Sequence, residues 1–261
     1  MAIIRKTREQ LERMRRSGRL VHEALRRCRE ACVPGATTAA VNAAAQGLLD
    51  EYPGSVGLFL NYPAPNPQVR AFPAVTCISV NQEVVHGIPG KRLIAEGDVV
   101  SVDFGINYEG WCADSATTFM VGNVSAENRR LCEVTQHVLR IAIENIRPGR
   151  MWSRIARQMQ DYAERAGMGV IRDYVGHGIG ASMHEDPKVP NFVSDELRKR
   201  DFELRPGMVI AVEPMCSAGT EKVQTLDDGW TVVTADGKYA AHYEHTLAVT
   251  ETGCEVLTDG R

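Results

Sequence analysis

The sequence predicts an α/β fold built from two related halves. Two seven-residue stretches match each other, because each runs from a glycine through an apolar segment to an acidic residue: GDVVSVD at 97–103 and GMVIAVE at 207–213. The order helix, Pro-Gly, helix and strands also occurs twice along the chain. A carboxylate at the end of a buried strand is costly unless a cation receives it. The repeat therefore predicts a pseudo-twofold fold with a metal site on its axis.

Two predicted helices open the first half. Residues 6–33 carry a charged amphipathic pattern, which Pro34-Gly35 ends. A Thr37-Thr38 cap predicts a second helix over 37–51, and the residues at 55–74, rich in Pro and Asn, predict an ordered loop. Strands are expected at 75–81, 98–105 and 111–121, the last two joined by a hairpin turn at 107–110.

The same order starts again at Ser125, which caps a predicted helix over 125–146. Pro148-Gly149 breaks this helix, and another is expected over 151–166. Strands are expected near 168–173, 208–214, 230–233, 242–249 and 253–258.

The composition is that of a globular protein. The chain has 261 residues, of which 44% are hydrophobic and 24% charged. No linker separates the two runs of elements, so we expect one domain over 1–261 with halves at about 7–122 and 125–257. A net charge of −3 gives no reason to expect nucleic acid as a partner. No apolar run approaches the roughly 20 residues that span a bilayer.

The N-terminal segment and the cysteines indicate a cytoplasmic protein. The short apolar start of the chain is interrupted by charges, which leaves no signal-peptide core. Seven cysteines, an odd number at scattered positions, fit reduced thiols better than a disulfide framework.

Four acidic residues are the candidate metal ligands. Asp103 and Asp114 lie on either side of the predicted hairpin, so antiparallel pairing can bring them onto the same face. Glu213 and Glu244 repeat this arrangement in the second half. Two bare carboxylates would repel each other, and a divalent cation between them removes the repulsion.

His177 supplies the imidazole that such a site needs. It lies in GHGIG at 176–180, where the glycines allow close approach of the backbone to other atoms. Taken alone, each acid is more often a turn cap or a solvated residue. The joint pattern of two acid pairs and one histidine favours two divalent metal ions.

The remaining histidines fall into two groups. His86 and His184 lie near the predicted site and are either additional ligands or hydrogen-bond donors to a substrate. The others are interpreted as structural or surface residues: His22, His137, His242 and His245.

Short segments around these residues carry a family resemblance. They are HGIP at 86–89, Asp103, Asp114, GHGIG at 176–180, His184, VEPM at 212–215 and YEHT at 243–246. Together they resemble the type I methionine aminopeptidases from about residue 7 to about 257. The resemblance implies the α/β (α+β) pita-bread fold, in which two pseudo-twofold-related halves place a curved, mainly antiparallel sheet under helices.

The resemblance also implies an activity and roles for residues. The expected reaction removes the N-terminal methionine from nascent proteins and peptides, using water activated by two divalent ions and preferring a small second residue. The five implied ligands are Asp103, Asp114, His177, Glu213 and Glu244, with Asp114 and Glu244 bridging both ions. Glu213 would also transfer a proton, and His86 and His184 would contact the scissile peptide.

The implied methionine pocket has one departure from the family pattern. Phe72, Cys77, Met183 and Trp230 match the positions that line it, and an apolar, sulfur-containing cavity suits a thioether. Many bacterial members carry Tyr-His-Gly where this chain has Val69-Arg70-Ala71. We therefore expect the pocket to lack an aromatic wall and a histidine.

Two alternatives remain to be compared. An Xaa-Pro aminopeptidase of the same fold would share the ligands, but it would usually carry a large N-terminal domain and an Arg-x-Glu-Asp segment. A non-catalytic binding protein of this fold would be expected to lose ligands, and all five are present.

The expected partners are nascent polypeptide N-termini, with the protein acting as a monomer. The arginines of the first helix, including Arg15, Arg16, Arg19, Arg26 and Arg27, are interpreted as a solvated face, with ribosome contact as the alternative. Carboxylate and imidazole ligands suit cobalt, manganese, iron and zinc alike.

Overall fold

The computed structural model describes residues 3–64 and 66–261, which contain five helices and fifteen strands. The helices are α1 (Arg8–Ala31), α2 (Thr38–Glu51), α3 (Ala126–Asn145), α4 (Trp152–Arg165) and α5 (Asp195–Lys199). The strands of the first part of the chain are β1 (Val56–Gly57), β2 (Cys77–Val80), β3 (Glu83–Val85), β4 (Val99–Tyr108) and β5 (Trp111–Met120). Later strands are β6 (Gly169–Val170), β7 (Gly176–Gly178), β8 (Glu185–Val189), β9 (Val209–Val212), β10 (Met215–Ser217), β11 (Val223–Thr225), β12 (Val232–Thr234), β13 (Ala240–His242), β14 (His245–Val249) and β15 (Cys254–Val256).

The four long helices begin where the sequence predicts, and their caps explain why. Thr7 and Gln10 form a capping box at the start of α1. The side chains of Thr37 and Ser125 accept hydrogen bonds from backbone N–H groups at the starts of α2 and α3. Both predicted caps are therefore confirmed.

The strands form four antiparallel sheets. The first has the order β1-β4-β2, with β5 also paired to β4, and the largest has the order β15-β14-β9-β7-β8. Two three-stranded sheets complete the set: β13-β10-β6 and β11-β12-β3. The pairing of β3 with β12 joins strands that lie about 150 positions apart in sequence.

The hairpin of β4 and β5 is longer than expected. Glu109 and Gly110 form its turn, both with left-handed φ values of 53° and 84°, as type I′ turns require. Asp103 and Asp114 both lie inside these ten-residue strands, as the expected ranges 98–105 and 111–121 place them. The apolar pattern stops at Asp103, but cross-strand pairing continues to Tyr108.

Several short elements were not predicted. The loop expected at 55–74, which includes Pro65 outside the described residues, contains β1. The single strand expected at 242–249 is two strands, because the chain breaks at Tyr243-Glu244. The unpredicted strands β1, β3, β7, β8, β10 and β11 have two to five residues, too few for an alternating pattern to be recognised.

Two main hydrophobic clusters lie between the helices and the sheets. One packs α1 and α2 against β2, β4 and β5, around residues such as Leu48, Ile78 and Phe104. The other packs α3 and α4 against strands of the later part of the chain, around residues such as Trp152 and Ile210. The site described next lies between these packed layers.

Candidate active site

A cavity of about 330 Å³ brings together every residue that the sequence analysis proposed for the site. Its lining includes the predicted metal ligands Asp103, Asp114, His177, Glu213 and Glu244. It also includes His86 and His184 and the predicted pocket residues Phe72, Cys77, Met183 and Trp230. Their roles remain predictions at this point, but their proximity is a property of the fold.

Strand register explains how the two aspartates meet. Gly105 of β4 lies opposite Asp114 of β5, so Asp103, two residues earlier, occupies the same face diagonally from Asp114. Burial and the charge of the neighbouring Asp114 both raise the pKa of Asp103. Gly105 leaves room for this arrangement, since a Cβ there would approach Asp114 Oδ1 to 3.1 Å.

The glutamates and His177 come from the largest sheet. Glu213 directly follows β9 and Glu244 directly precedes β14, and the neighbouring residues Val212 and His245 are paired. His177 lies on β7, opposite Ala211 of β9. Its Nε2 is 3.7 Å from Glu213 Oε1. Three adjacent strands of one sheet, β14, β9 and β7, therefore position three of the candidate ligands.

Close packing of the neighbouring backbone explains why glycine lies on each side of His177. A Cβ on Gly176 would lie 2.2 Å from Ala211 O, and a Cβ on Gly178 would lie 2.3 Å from Asp186 O. Only glycine allows β7 to pass this close to both neighbours. These contacts fix the strand from which the His177 ring projects into the cavity.

Three carboxylates of this cluster each have one buried oxygen without a hydrogen-bond partner within residues 3–64 and 66–261. Asp103 Oδ1, Asp114 Oδ1 and Glu244 Oε1 are buried and unpaired there. Ligand atoms of Asp114, His177 and Glu244 all lie within 4.8 Å of one another. Buried charges are usually paired or bound to metal. The donor set of carboxylates and one imidazole therefore fits divalent metal ions.

Burial shifts the pKa values of the same groups strongly. It raises the pKa of Asp114 to about 7 and that of Glu213 to about 8, and it raises the pKa values of Asp103 and Glu244 well above their usual range. Burial also lowers the pKa of His177 to about 4, which leaves a neutral imidazole able to coordinate a metal.

His86 and His184 both line the cavity. His86 has a left-handed φ of 59°, a strained conformation for a residue other than glycine. The centroid of its ring is 5.1 Å from that of Tyr174, and the two rings meet edge to face. The Nδ1 atom of His184 lies 3.1 Å from the Tyr62 hydroxyl, and its ring centre is 4.3 Å from that of His177. Burial lowers the pKa values of both histidines, so both rings are neutral near pH 7.

The apolar end of the cavity is aromatic. Phe72 and Trp230 meet edge to face at 5.2 Å, and Trp230 Nε1 donates to Arg70 O at 2.9 Å. The expectation that an aromatic wall is missing is wrong, because Phe59 and Tyr62 also line the cavity. Phe59 and Tyr62 precede Val69-Arg70-Ala71 in the sequence, so that segment alone does not predict their position in the cavity.

His242 was interpreted as a structural or surface residue, and the structure buries it with its Nε2 4.0 Å from Glu213 Oε2. In the sequence it lies two residues before the candidate ligand Glu244. Its position depends on the pairing of β13 with β10, which places His242 opposite Met215.

In the part of the chain that the structure describes, every helix is too short or too polar to cross a lipid bilayer.

Comparisons with known proteins agree with the geometry of the site. The model of metallopeptidase family M24 matches residues 12–251. The chain is 41% identical over 256 residues to methionine aminopeptidase 1 of Bacillus subtilis (strain 168), covering 98% of this chain and 99% of that protein. It is similar to the crystal structure of methionine aminopeptidase from Thermotoga maritima with a TM-score of 0.91 and 40% identity, covering 98% of this chain and 99% of that chain.

A proline-specific relative is more distant. The X-Pro aminopeptidase from Thermotoga maritima MSB8 gives a TM-score of 0.73 at 20% identity, covering 97% of this chain and 62% of that chain, which shows a shared fold alone. The resemblance found in the sequence and the pita-bread fold that it implied are confirmed. The chain belongs to metallopeptidase family M24 and, within it, to the type I methionine aminopeptidases.

Proposed function

We propose that this chain removes the N-terminal methionine from nascent proteins and peptides whose second residue is small. The observation that carries the proposal is a group of buried, unpaired carboxylate oxygens near His177 in a cavity that aromatic residues also line. The carboxylate group accounts for metal-dependent hydrolysis, and the apolar lining residues account for binding of the methionine side chain. The Xaa-Pro aminopeptidase alternative has only the fold-level likeness in its favour.

The proposed site holds two divalent ions. Asp103, Asp114, His177, Glu213 and Glu244 would hold them. Bound divalent ions would polarise the scissile carbonyl and lower the pKa of a water molecule. Their identity is proposed only as cobalt, manganese, iron or zinc, since all four accept this donor set.

Glu213 is the proposed proton carrier. It would take a proton from the attacking water and deliver it to the leaving amine, the task of a general acid and base. In the metal-free protein, burial raises its pKa to about 8. His177 on one side and the main chain after β9 fix its position.

His86 and His184 are proposed to orient the scissile peptide. As neutral imidazoles that line the cavity, each can donate one hydrogen bond to the substrate. Donors aimed at developing negative charge stabilise the transition state. The Tyr62 hydroxyl at His184 Nδ1 would hold that ring in one orientation.

Substrate preference follows from the two ends of the cavity. Phe72, Cys77, Met183 and Trp230 would enclose an unbranched thioether side chain. The second residue would have to be small because the metal ligands and His86, which packs edge to face with Tyr174, would crowd the scissile bond. A pocket of this kind distinguishes one misplaced methylene by only about 1–3 kcal/mol, so the preference is expected to be strong but not absolute.

The helix face proposed for ribosome contact is better explained as a solvated face. Four of its arginines are paired with acids: Arg15 with Glu255, Arg16 with Glu109, Arg26 with Glu23 and Arg27 with Glu51. The pairing reduces its net positive charge. The cytoplasmic location, the monomeric state and the halves at 7–122 and 125–257 are proposed from the resemblance and the sequence repeat.

Metal analysis combined with a Met-Ala-Ser assay tests this proposal. The reconstituted protein should hold two metal equivalents and release methionine, and excess chelator should abolish the reaction. Glu213→Gln should lower the rate constant by roughly a hundredfold or more when metal content is matched to the native enzyme. Full hydrolysis by metal-free protein would contradict the proposal, and near-normal turnover by metal-loaded Glu213→Gln would remove the role of Glu213.

A further inference from the structure

His242 is a buried side chain that the proposed mechanism does not use. It is 2% exposed, and its Nε2 has no hydrogen-bond partner among the described residues. A buried polar atom without a partner costs about 1–3 kcal/mol, so its persistence calls for an explanation. The nearest acid is Glu213, whose Oε2 lies 4.0 Å from Nε2.

The backbone of His242 is held firmly. Its N–H donates to Thr118 Oγ1 at 3.0 Å, and Thr118 Oγ1 donates to His242 O at 2.7 Å. Thr118 Oγ1 also lies 2.8 Å from Ser101 Oγ. These contacts with β4 and β5 fix the point from which the imidazole extends toward Glu213.

Glu213 lies between two imidazoles, one at each carboxylate oxygen. His177 Nε2 is 3.7 Å from Oε1, and His242 Nε2 is 4.0 Å from Oε2. The main chain of Glu213 is fixed separately, because Asn191 Nδ2 donates to Glu213 O at 3.0 Å. With the main chain held, the carboxylate of Glu213 can move by rotation about its side-chain bonds. A movement of about 1 Å would bring Oε2 within hydrogen-bond distance of His242.

We propose that His242 is a positioning residue for Glu213. After a carboxylate movement of about 1 Å, its Nε2–H would donate to Oε2, which would leave Oε1 directed toward His177 and the metal ligands. The inference rests on the proposed function, in which Glu213 binds metal and carries a proton. Groups that orient ligating carboxylates in this way typically contribute 10–100-fold to metal affinity or activity.

A matched pair of substitutions separates positioning from packing. His242→Gln retains an N–H donor on a side chain of similar reach, whereas His242→Leu fills similar volume without one. The dissociation constants for Mn²⁺ are measured by calorimetry, and the melting temperature is measured in excess chelator. Kinetics on Met-Ala-Ser give kcat and KM separately.

The positioning role predicts a specific combination of results. His242→Leu should bind Mn²⁺ about 10–100-fold more weakly and lose kcat with little change in KM. Its metal-free melting temperature should stay at or above the native value, because an unpaired buried polar group has been removed. His242→Gln should restore Mn²⁺ affinity and kcat toward native values.

The inference is overturned if metal-loaded native protein is active and His242→Leu matches its Mn²⁺ affinity and kcat. It is also overturned if His242→Leu and His242→Gln lose metal-free melting temperature alike, which would indicate a packing role. His242→Met provides a second apolar variant should His242→Leu fail to fold. Failure of the native protein to bind Mn²⁺ or cleave Met-Ala-Ser would instead refute the proposed function itself.

Discussion

Thr246 holds the backbone of Asp114 through two hydrogen bonds across 132 positions of sequence. Thr246 Oγ1 donates to Asp114 O at 2.8 Å, and Asp114 N donates to Thr246 Oγ1 at 3.0 Å. Beside them, Glu244 N donates to Ala116 O at 2.8 Å. The backbones of Asp114 and Glu244, two of the proposed metal ligands, are thus fixed by one set of hydrogen bonds between β5 and residues 244–246, here called the seam.

Thr246→Val should therefore destabilise the protein and disturb the site. It keeps the shape but leaves buried backbone groups of Asp114 without a partner, which should cost about 2 kcal/mol. Denaturant unfolding of the metal-free protein measures the loss. The exposed Thr252 provides the control, since Thr252→Val should change stability by less than about 0.5 kcal/mol. Equal effects of the two substitutions would show that the seam contributes nothing.

A buried ion pair should support the loop that carries Met183 and His184. Lys6 Nζ lies 2.6 Å from Glu185 Oε2, with side chains 2% and 10% exposed. Lys6→Met leaves Glu185 as an unpaired buried charge, so stability should fall by about 3 kcal/mol. Turnover should fall as well, because Glu185 directly follows His184.

Lys188→Met is the matched control for the ion pair. Lys188 and Glu196 form a pair at 3.6 Å with side chains 70% and 61% exposed, and such pairs contribute about 0.5 kcal/mol. Chemical denaturation and Met-Ala-Ser kinetics are measured for both variants. A Lys6→Met protein as stable and active as Lys188→Met would contradict the supporting role.

His184→Ala should keep its metals and lose turnover. If the imidazole contacts the peptide and does not coordinate metal, its removal should cost about 3 kcal/mol of transition-state stabilisation, on the order of a hundredfold in rate. Elemental analysis and single-turnover kinetics check both parts. His137→Ala, outside the cavity, should behave as native. Loss of one metal equivalent from His184→Ala would make His184 a ligand.

The metal-free protein should become less stable as pH rises from 7.5 to 8.5. Burial raises the pKa values of Asp114 and Glu213 to about 7 and about 8, so the folded state retains protons that the unfolded state releases. Their contribution to stability is complete at low pH and is lost as pH passes these values. Above about pH 7.5, about one unit over the ordinary imidazole pKa, the histidines are almost all neutral in both the folded and the unfolded state and add little slope.

Melting temperatures in excess chelator across this pH range test the titration. Asp114→Asn should show a shallower decline than the native protein, because one of the shifted groups is absent. Added metal should reverse the trend, since ligands bind metal in their deprotonated form. A chelated native protein that becomes more stable over the same range would contradict the assigned shifts.

The sequence alone predicted the long elements and the main site residues. The caps at Thr37 and Ser125 and the turn at 107–110 could be predicted because interactions between residues close in sequence determine them. Asp103, Asp114 and His177 were found because polar residues stand out within apolar or glycine-rich runs. The site could therefore be assembled before any three-dimensional information.

Other features depended on long-range pairing. His242 joins the site through the register of β13 with β10, and Tyr62 reaches the cavity from an irregular loop. The break at Tyr243-Glu244 interrupts a run that reads as one strand, because Glu244 N instead bonds to Ala116 of β5. Neither composition nor periodicity encodes such partners locally.

Relative rates on three peptides test the central claim most directly. The metal-reconstituted protein is assayed side by side on Met-Ala-Ser, Leu-Ala-Ser and Ala-Pro-Ala at equal concentrations, with excess chelator as the blank. We predict rapid release of methionine from Met-Ala-Ser, much slower release from Leu-Ala-Ser and negligible cleavage of Ala-Pro-Ala. Equal rates on the first two peptides, or faster cleavage of Ala-Pro-Ala, would contradict a methionine-specific pocket.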